Sequence, residues 1–251
     1  MGLVLRKESW YVVLLLSLFF LSFQVGNANA GEQPNVQIDR LTIINLPAYS
    51  VLGSPDDTTN VYNAVNEQEF LSMSDQEFKD KVRSNLASII DQKEKDARIR
   101  WNEDIVKYVE ILAPDHVDEI KEQIATDTSL QSTIVTASEP GSEDLTWVIY
   151  DYNLGGIKLY AFLQRIAWSW NSTQITSISK NAYSRIWAPL WRYEGINDQS
   201  GAYNNNKFSY TQYHEGHFVG EIAGYPLVNT YPWHQTTVMT GGGWAHNEGF
   251  N

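Results

Sequence analysis

The stretch FSYTQYHEGHFVGEI, residues 208–222, has the clearest β pattern of this sequence. Aromatic and β-branched residues, which favour strands, occupy positions on both sides of Glu215-Gly216. A glycine in the second position of a two-residue loop can adopt the positive φ that a tight turn requires. The sequence therefore predicts a β-hairpin with strands over 208–214 and 217–222.

The predicted hairpin places titratable side chains on one face. His214 and His217 would lie directly opposite each other, with Cβ atoms about 5 Å apart. Farther from the loop Tyr210 would lie opposite Glu221, and Gln212 would lie between Tyr210 and His214 on the same face. The hairpin would thus bring two imidazoles and one carboxylate to a shared surface.

Three interpretations of this surface are open. An imidazole titrates near neutral pH and a partly buried glutamate can be tuned to share its proton, so Glu221 with His214 or His217 could perform acid–base catalysis. The three side chains could instead hold a metal ion, although His-Glu-Gly-His is one residue short of the His-Glu-x-x-His zinc motif. The histidines could also be merely exposed at a hairpin tip. We take Glu221, His214 and His217 as the candidate catalytic residues and predict neither a metal site nor a cofactor.

Aromatic residues in turns near this segment are candidates for ligand binding. Seven of the nine tryptophans lie between residues 145 and 251. Partly exposed rings can stack on sugar faces or nucleobases, whereas rings at strand positions more often pack in the core. The predicted substrate-binding residues are Trp187, Trp191, Arg192, Tyr210 and Trp233.

The N-terminus has the pattern of an export signal. A basic start at Arg6 and Lys7 precedes an apolar run over 12–23, and an Ala-x-Ala triplet ends at Ala30. This order is typical of a cleaved secretory signal peptide, and the run is shorter than the ~20 residues that span a bilayer. We therefore expect residues 1–30 to be removed from a secreted or periplasmic bacterial protein, with no membrane span afterwards.

Composition divides the rest of the chain near residue 144 and excludes several classes of protein. Residues 31–144 contain 10 basic and 23 acidic residues, whereas residues 145–251 contain six of each. The whole chain of 251 residues has a net charge of −12 and no cysteine. The acidic balance argues against binding to nucleic acid polymers, and the absence of cysteine excludes disulfides and thiolate metal sites.

The pattern of apolar residues predicts an α+β fold. A first strand is expected over 36–44. A capping box at Ser74 predicts a helix that ends near Ala97, and two shorter helices follow, the second beginning at Pro114. Residues 145–251 read as strands and turns, except that 157–170 fits either a strand or a helix. We expect this acidic helical segment to pack on a mostly antiparallel, aromatic-rich, twisted sheet.

Two functional hypotheses follow. The first is an exported enzyme that cleaves or transfers a glycosidic bond, in a glycan or at the ribosyl carbon of a nucleotide such as NAD, because that chemistry needs a carboxylate, an acid–base partner and flat rings. The second is a secreted, non-catalytic β module that binds a glycan or a surface. Both imply a small-molecule or glycan ligand, and neither predicts an oligomeric state.

Overall fold

The computed structural model describes residues 40–53, 67–93, 98–126, 131–133, 139–204, 206–222 and 225–251. The predicted signal peptide lies outside the described residues, as do residues 36–39 of the predicted first strand. Among the helices of the described residues, none is both long and apolar enough to cross a membrane.

The described residues form five α-helices and eleven β-strands, together with three short 3₁₀ turns. The helices are α1 (Arg40–Asn45), α2 (Glu67–Ser72), α3 (Asp75–Lys93), α4 (Val106–Leu112) and α5 (Val117–Ala125). The strands are β1 (Tyr49–Gly53), β2 (Arg98–Trp101), β3 (Gln131–Thr133), β4 (Gly141–Tyr152), β5 (Lys158–Trp170), β6 (Ile175–Ile186), β7 (Trp191–Tyr203), β8 (Ser209–Ile222), β9 (Tyr225–Thr230), β10 (Pro232–Met239) and β11 (Trp244–Phe250).

The strands form two antiparallel sheets, and the predicted α+β class is confirmed. Sheet A has the order β2-β1-β4-β5-β6. Sheet B has the order β3-β11-β10-β8-β7, and β9 pairs with the second half of β8. Two strands from the acidic half, β1 and β2, complete sheet A beside β4.

Alternation along β5 shows how the two sheets pack. Phe162, Gln164, Ile166 and Trp168 are buried, and they lie on one face of the strand because successive side chains point to opposite faces. The Trp168 indole donates to the Met239 carbonyl of sheet B at 3.0 Å, and Phe162 lies against Phe218 on β8. This face of sheet A therefore forms the core with sheet B.

The helices contact sheet A through α3 and α5. Asn85 of α3 donates to the Leu154 carbonyl at 3.0 Å, and Trp101 of β2 donates to Gln123 of α5 at 2.7 Å. The predicted capping box begins α3: the Ser74 hydroxyl accepts from the Glu77 amide at 3.3 Å, and the Glu77 carboxylate accepts from the Ser74 amide at 2.7 Å. The predicted start of this helix is confirmed.

The structure overturns one prediction about a single element and resolves one alternative that the sequence left open. The predicted strand over 36–44 is wrong for its described part, because Arg40–Asn45 is helical with Ile43 and Ile44 buried. The Asn45 side chain donates to the Leu41 carbonyl one turn earlier, which helps to end the helix. The ambiguous segment 157–170 is a strand, paired along both edges with β4 and β6.

The predicted hairpin at Glu215-Gly216 is wrong, because β8 continues through both residues as one strand. Both are paired in the ladder: Glu215 lies opposite Trp233 and Gly216 opposite Ile196. Gly216 is needed there for close approach, since a Cβ atom at this position would lie 2.9 Å from the Phe162 ring. A glycine that indicates a turn in the sequence thus accommodates a ring from the other sheet.

Candidate functional site

The continuous β8 strand separates the three predicted catalytic residues. His214 lies on the buried face toward sheet A, where its Nδ1 is 2.9 Å from the Gln164 amide nitrogen. His217 and Glu221 lie on the opposite face because their positions differ from 214 by an odd number. Four residues of strand also separate His217 from Glu221 by about 13 Å. The three groups therefore do not converge on one reacting atom.

Each of the two outer residues has a partner of its own. Glu221 forms an ion pair with Arg192, which also contacts Glu194. The His217 Nε2 atom lies 2.9 Å from Asn229 Oδ1, and its ring stacks on Tyr231 at 4.7 Å. These contacts assign Arg192 to a surface ion-pair network.

The structure divides the predicted aromatic binding residues into buried and exposed groups. Trp191 is 4% exposed and donates to the Asn45 carbonyl at 3.2 Å, and Tyr210 is 6% exposed. Trp187 is 46% exposed, with the Lys158 ammonium 4.8 Å from its ring. Trp233 is partly exposed, and its ring centroid lies 6.0 Å from that of Tyr213. Of these four predicted aromatic binding residues, Trp187 and Trp233 are the two that present rings at the surface.

Sheet B carries a layer of polar side chains on its buried face. His234 lies directly opposite His214 on β8 and opposite Glu248 on β11. Thr236, two residues farther along β10 and therefore on the same face, lies opposite His246 on β11. Strand pairing therefore brings three imidazoles and one carboxylate together, and each of the four residues is at most 3% exposed.

Three atoms of this layer could hold a metal ion. His234 Nδ1 lies 3.4 Å from His246 Nε2 and 3.4 Å from Glu248 Oε2. His246 Nε2 lies 3.3 Å from the same carboxylate oxygen. Burial alone would raise the pKa of Glu248, but hydrogen bonds and charge from the two imidazoles in their protonated form outweigh it and hold the pKa well below its usual range.

The remaining contacts hold the two rings in place. His234 Nε2 lies 3.1 Å from the Phe162 carbonyl, and His246 Nδ1 lies 2.8 Å from the Thr236 hydroxyl. Trp147 stacks on His246 with centroids 4.1 Å apart and an interplanar angle of 9°. His214 is different, because burial and the nearby charges of Lys180 and His234 lower its pKa to about 4.

A cleft with a volume of about 510 Å³ opens at the edge shared by the two sheets. One wall comes from β1, β2 and the residues after β2, and the other comes from β9 and the end of β11. Its polar lining residues are Ser50, Arg100, Asn102, Glu103, Asp104, Asp151, Asn229, Thr230 and Asn251.

Asp151 is the buried acid of this cleft. Strand register aligns it in one row across sheet A with Arg100, Ser50 and Tyr160. The Ser50 hydroxyl donates to Asp151 Oδ1 at 2.7 Å. Asp151 Oδ2 has no hydrogen bond of good geometry among the described residues, although the Tyr160 hydroxyl is near and bonds to Thr230 at 2.6 Å.

Burial determines the protonation of this acid. It raises the pKa of Asp151 to about 7, and hydrogen bonding with Ser50 and Tyr160 offsets only part of the effect. A carboxyl group with this pKa can both hold and release a proton near neutral pH.

Comparisons with known proteins do not identify the chain. No family model and no curated protein matches it. Among solved structures, the hypothetical protein lmo2686 from Listeria monocytogenes EGD-e matches with 12% identity and a TM-score of 0.26. That match covers 49% of this chain and 82% of the other.

Sequence reasoning missed the residues that the structure groups together. His246 and Glu248 are two positions apart, which in a strand places both side chains on one face. This spacing was a usable signal, but the pairing of β10 with β11 that adds His234 could not be read from it. Asp151 also left a signal, because it is an acidic residue within the apolar run 147–152.

Proposed function

We propose that the protein is an exported enzyme that cleaves or transfers a glycosidic bond, and that the cleft containing Asp151 is its active site. The carrying observation is a buried carboxylic acid at a cleft large enough for a small ligand. This placement replaces the acid–base group expected at Glu221, His214 and His217. The export signal that the sequence predicts over residues 1–30 is the basis for proposing secretion.

Asp151 would act as the general acid. Glycosidic bonds break when a proton reaches the leaving oxygen while a second carboxylate stabilises positive charge or activates water. Because the pKa of Asp151 is about 7, the group is substantially protonated at neutral pH. Glu103 and Asp104 are exposed at the same cleft and are candidates for the second carboxylate.

Arg100 supports a phosphorylated or otherwise anionic ligand. It belongs to the row that contains Asp151, and it lines the cleft with its guanidinium 5.9 Å from the Phe250 ring. A guanidinium beside an aromatic face suits an anionic group next to a flat ring. This pairing favours a nucleotide ribosyl bond over a neutral glycan.

The test is turnover of NAD and of simple aryl glycosides by the purified protein and its Asp151→Asn variant. Removing a general acid typically lowers the rate by about 10²- to 10⁴-fold. The rate of the natural protein should also fall as pH rises through about 7, because Asp151 loses its proton there. Asp144→Asn is the matched control, since Asp144 lies on the same strand but outside this cleft.

Equal turnover in the Asp151→Asn variant, or no turnover of any of these substrates by the natural protein, would refute this proposal. Glu221→Gln tests the sequence-based placement of the acid–base group at Glu221. A loss of turnover confined to that variant would favour Glu221 over Asp151 as the catalytic carboxyl group.

The alternative of a non-catalytic binding module has one specific observation in its favour. Trp233 and Tyr213 lie together beside the Glu215 carboxylate, which accepts from the Tyr213 hydroxyl at 2.9 Å. Rings beside polar groups are typical of glycan-binding surfaces. Glycan binding that is lost in Trp233→Ala, without turnover in any form, would support this alternative.

A further inference from the structure

The triangle of ligand atoms inside sheet B has the size of a tetrahedral zinc site. Its three sides, between His234 Nδ1, His246 Nε2 and Glu248 Oε2, measure 3.4, 3.4 and 3.3 Å. Atoms bound to a tetrahedral zinc ion at about 2.0–2.1 Å are about 3.3–3.4 Å apart. Octahedral neighbours at those bond lengths would be only about 2.9 Å apart.

Hydrogen bonds outside the triangle direct two nitrogen lone pairs into it. The Phe162 carbonyl can only accept, so His234 Nε2 carries the hydrogen and a neutral ring presents its lone pair at Nδ1. The Thr236 hydroxyl donates its single hydrogen to Gln164 Oε1 at 2.5 Å. It must therefore accept from His246 Nδ1, which leaves the lone pair of that ring at Nε2.

Three electron-pair donors that face one another at this distance repel unless a cation lies between them. A proton fits poorly, because a charge-assisted hydrogen bond from nitrogen to a carboxylate is about 2.7–2.9 Å long. The observed separations exceed that length along every side. A zinc ion slightly above the plane of the triangle would instead be about 2.0–2.1 Å from all three atoms, as tetrahedral coordination requires.

We infer that His234, His246 and Glu248 bind one zinc ion in the interior of the protein. Two neutral imidazoles and one carboxylate form a known zinc ligand set. The ion would join β10 to β11, and Phe162 and Gln164 would connect the site to sheet A. Since the three ligands are at most 1% exposed, the ion would be enclosed in the protein interior, where its binding would add to the stability of the folded state.

The shell around the ligands supports this assignment. Outer hydrogen bonds from ligand histidines to a carbonyl or to another acceptor are the usual way in which a protein orients a metal site. Both rings have such a bond, and the stacked Trp147 limits rotation of His246. The ligands therefore need little rearrangement to receive the ion.

Metal content of the purified protein is the first measurement. Elemental analysis after purification without chelating resin should find about one zinc per chain. Removal of zinc with a chelator should lower the melting temperature, and added ZnCl₂ should restore it. Cobalt(II) added to the metal-free protein should produce the intense visible bands of tetrahedral coordination, which test geometry without any substitution.

Variants separate the ligands from their surroundings. Glu248→Gln and His246→Gln should abolish stoichiometric zinc binding, whereas His217→Gln, a histidine on the outer face, should retain it. Thr236→Val removes only the orienting hydroxyl and should weaken zinc binding by about 10- to 100-fold. Thr236 is therefore a positioning residue and not a ligand.

Failure of the natural protein to bind zinc, an octahedral cobalt spectrum, or unchanged zinc affinity in His246→Gln would each overturn the inference. These outcomes are independent of the proposed glycosidic activity, since no measurement depends on Asp151 or on turnover.

Discussion

Asp151 is a carboxylic acid in a position where its charged form is costly. It is buried in sheet A, and its nearest polar neighbours are two hydroxyl groups, from Ser50 and Tyr160. Burial therefore raises the pKa to about 7, and the two hydroxyl groups, which stabilise a carboxylate less than a cation does, offset only part of that rise. Burial, and after it the charge of Asp151, raises the pKa of Tyr160 well above its usual value.

The raised pKa predicts how stability depends on pH. Between about pH 4 and 7 the folded protein keeps the Asp151 proton while the unfolded chain has lost it, so stability falls as pH rises through this window. Asp151→Asn removes this dependence. Its free energy of unfolding relative to the natural protein should therefore rise by on the order of a few kcal/mol from pH 4 to pH 7.5.

Urea denaturation at several pH values measures this difference. Asp144→Asn is the control, because a hydrogen bond from Arg165 lowers the pKa of that carboxyl. Its contribution to stability changes only below about pH 4, so its difference from the natural protein should stay constant over this range. Stability curves of Asp151→Asn and the natural protein that run parallel over this range would contradict the prediction.

At the scale of elements, β8 is the strand on which sheet B depends. It pairs with β7 along one edge and with β10 and then β9 along the other. Because it does not bend at Glu215-Gly216, its alternation assigns His214 to the interior and His217 to the surface. The alternation of this strand therefore turns His214 away from solvent and His217 toward it.

Gly216→Ala tests the reason for this continuity. A Cβ atom would lie 2.9 Å from the buried Phe162 ring and 3.2 Å from Phe218, and neither ring has room to move freely. We expect a loss of about 1–3 kcal/mol in the free energy of unfolding, typical of overpacking. Chemical denaturation measures it.

The control is Ser200→Ala at an exposed position of β7, which should change stability by no more than about 0.5 kcal/mol. If Gly216→Ala were as stable as the natural protein, the close approach of Phe162 would not be the reason for this glycine.

At the scale of the whole molecule, the interior between the sheets combines apolar clusters with one layer of polar side chains. Aromatic clusters lie around Phe162 and Trp168, and the polar layer of Gln164, Thr236 and the histidines lies between them. Buried polar groups need partners, so this layer demands a single alignment of the two sheets. We expect it to contribute specificity as well as stability.

Phe162→Ala tests how much the packing of this ring between the two sheets contributes to the free energy of unfolding. Its ring packs against Phe218 at 6.2 Å and His234 at 5.4 Å, so truncation leaves a cavity between sheets A and B. The expected loss is about 3–5 kcal/mol in the free energy of unfolding. Thr173→Ala in an exposed turn provides the control, and a loss below about 1 kcal/mol for Phe162→Ala would contradict this account.

The local parts of this fold could be predicted from the sequence. The start of α3 depends on Ser74 and Glu77, which are three residues apart, and the class depends on patterns repeated within each segment. Strand character in residues 208–222 was also readable. Such features depend on residues a few positions apart in the chain, so the sequence alone is enough to predict them.

Tertiary structure decided whether Glu215-Gly216 bends and which polar groups meet. A ring from β5 occupies the space above Gly216, and a partner strand extends along each edge of β8, so the extended ladder replaces the turn. His234 meets Glu248 only because β10 and β11 pair in one register. Such contacts depend on which distant segments pack together, and composition and spacing do not encode that choice locally.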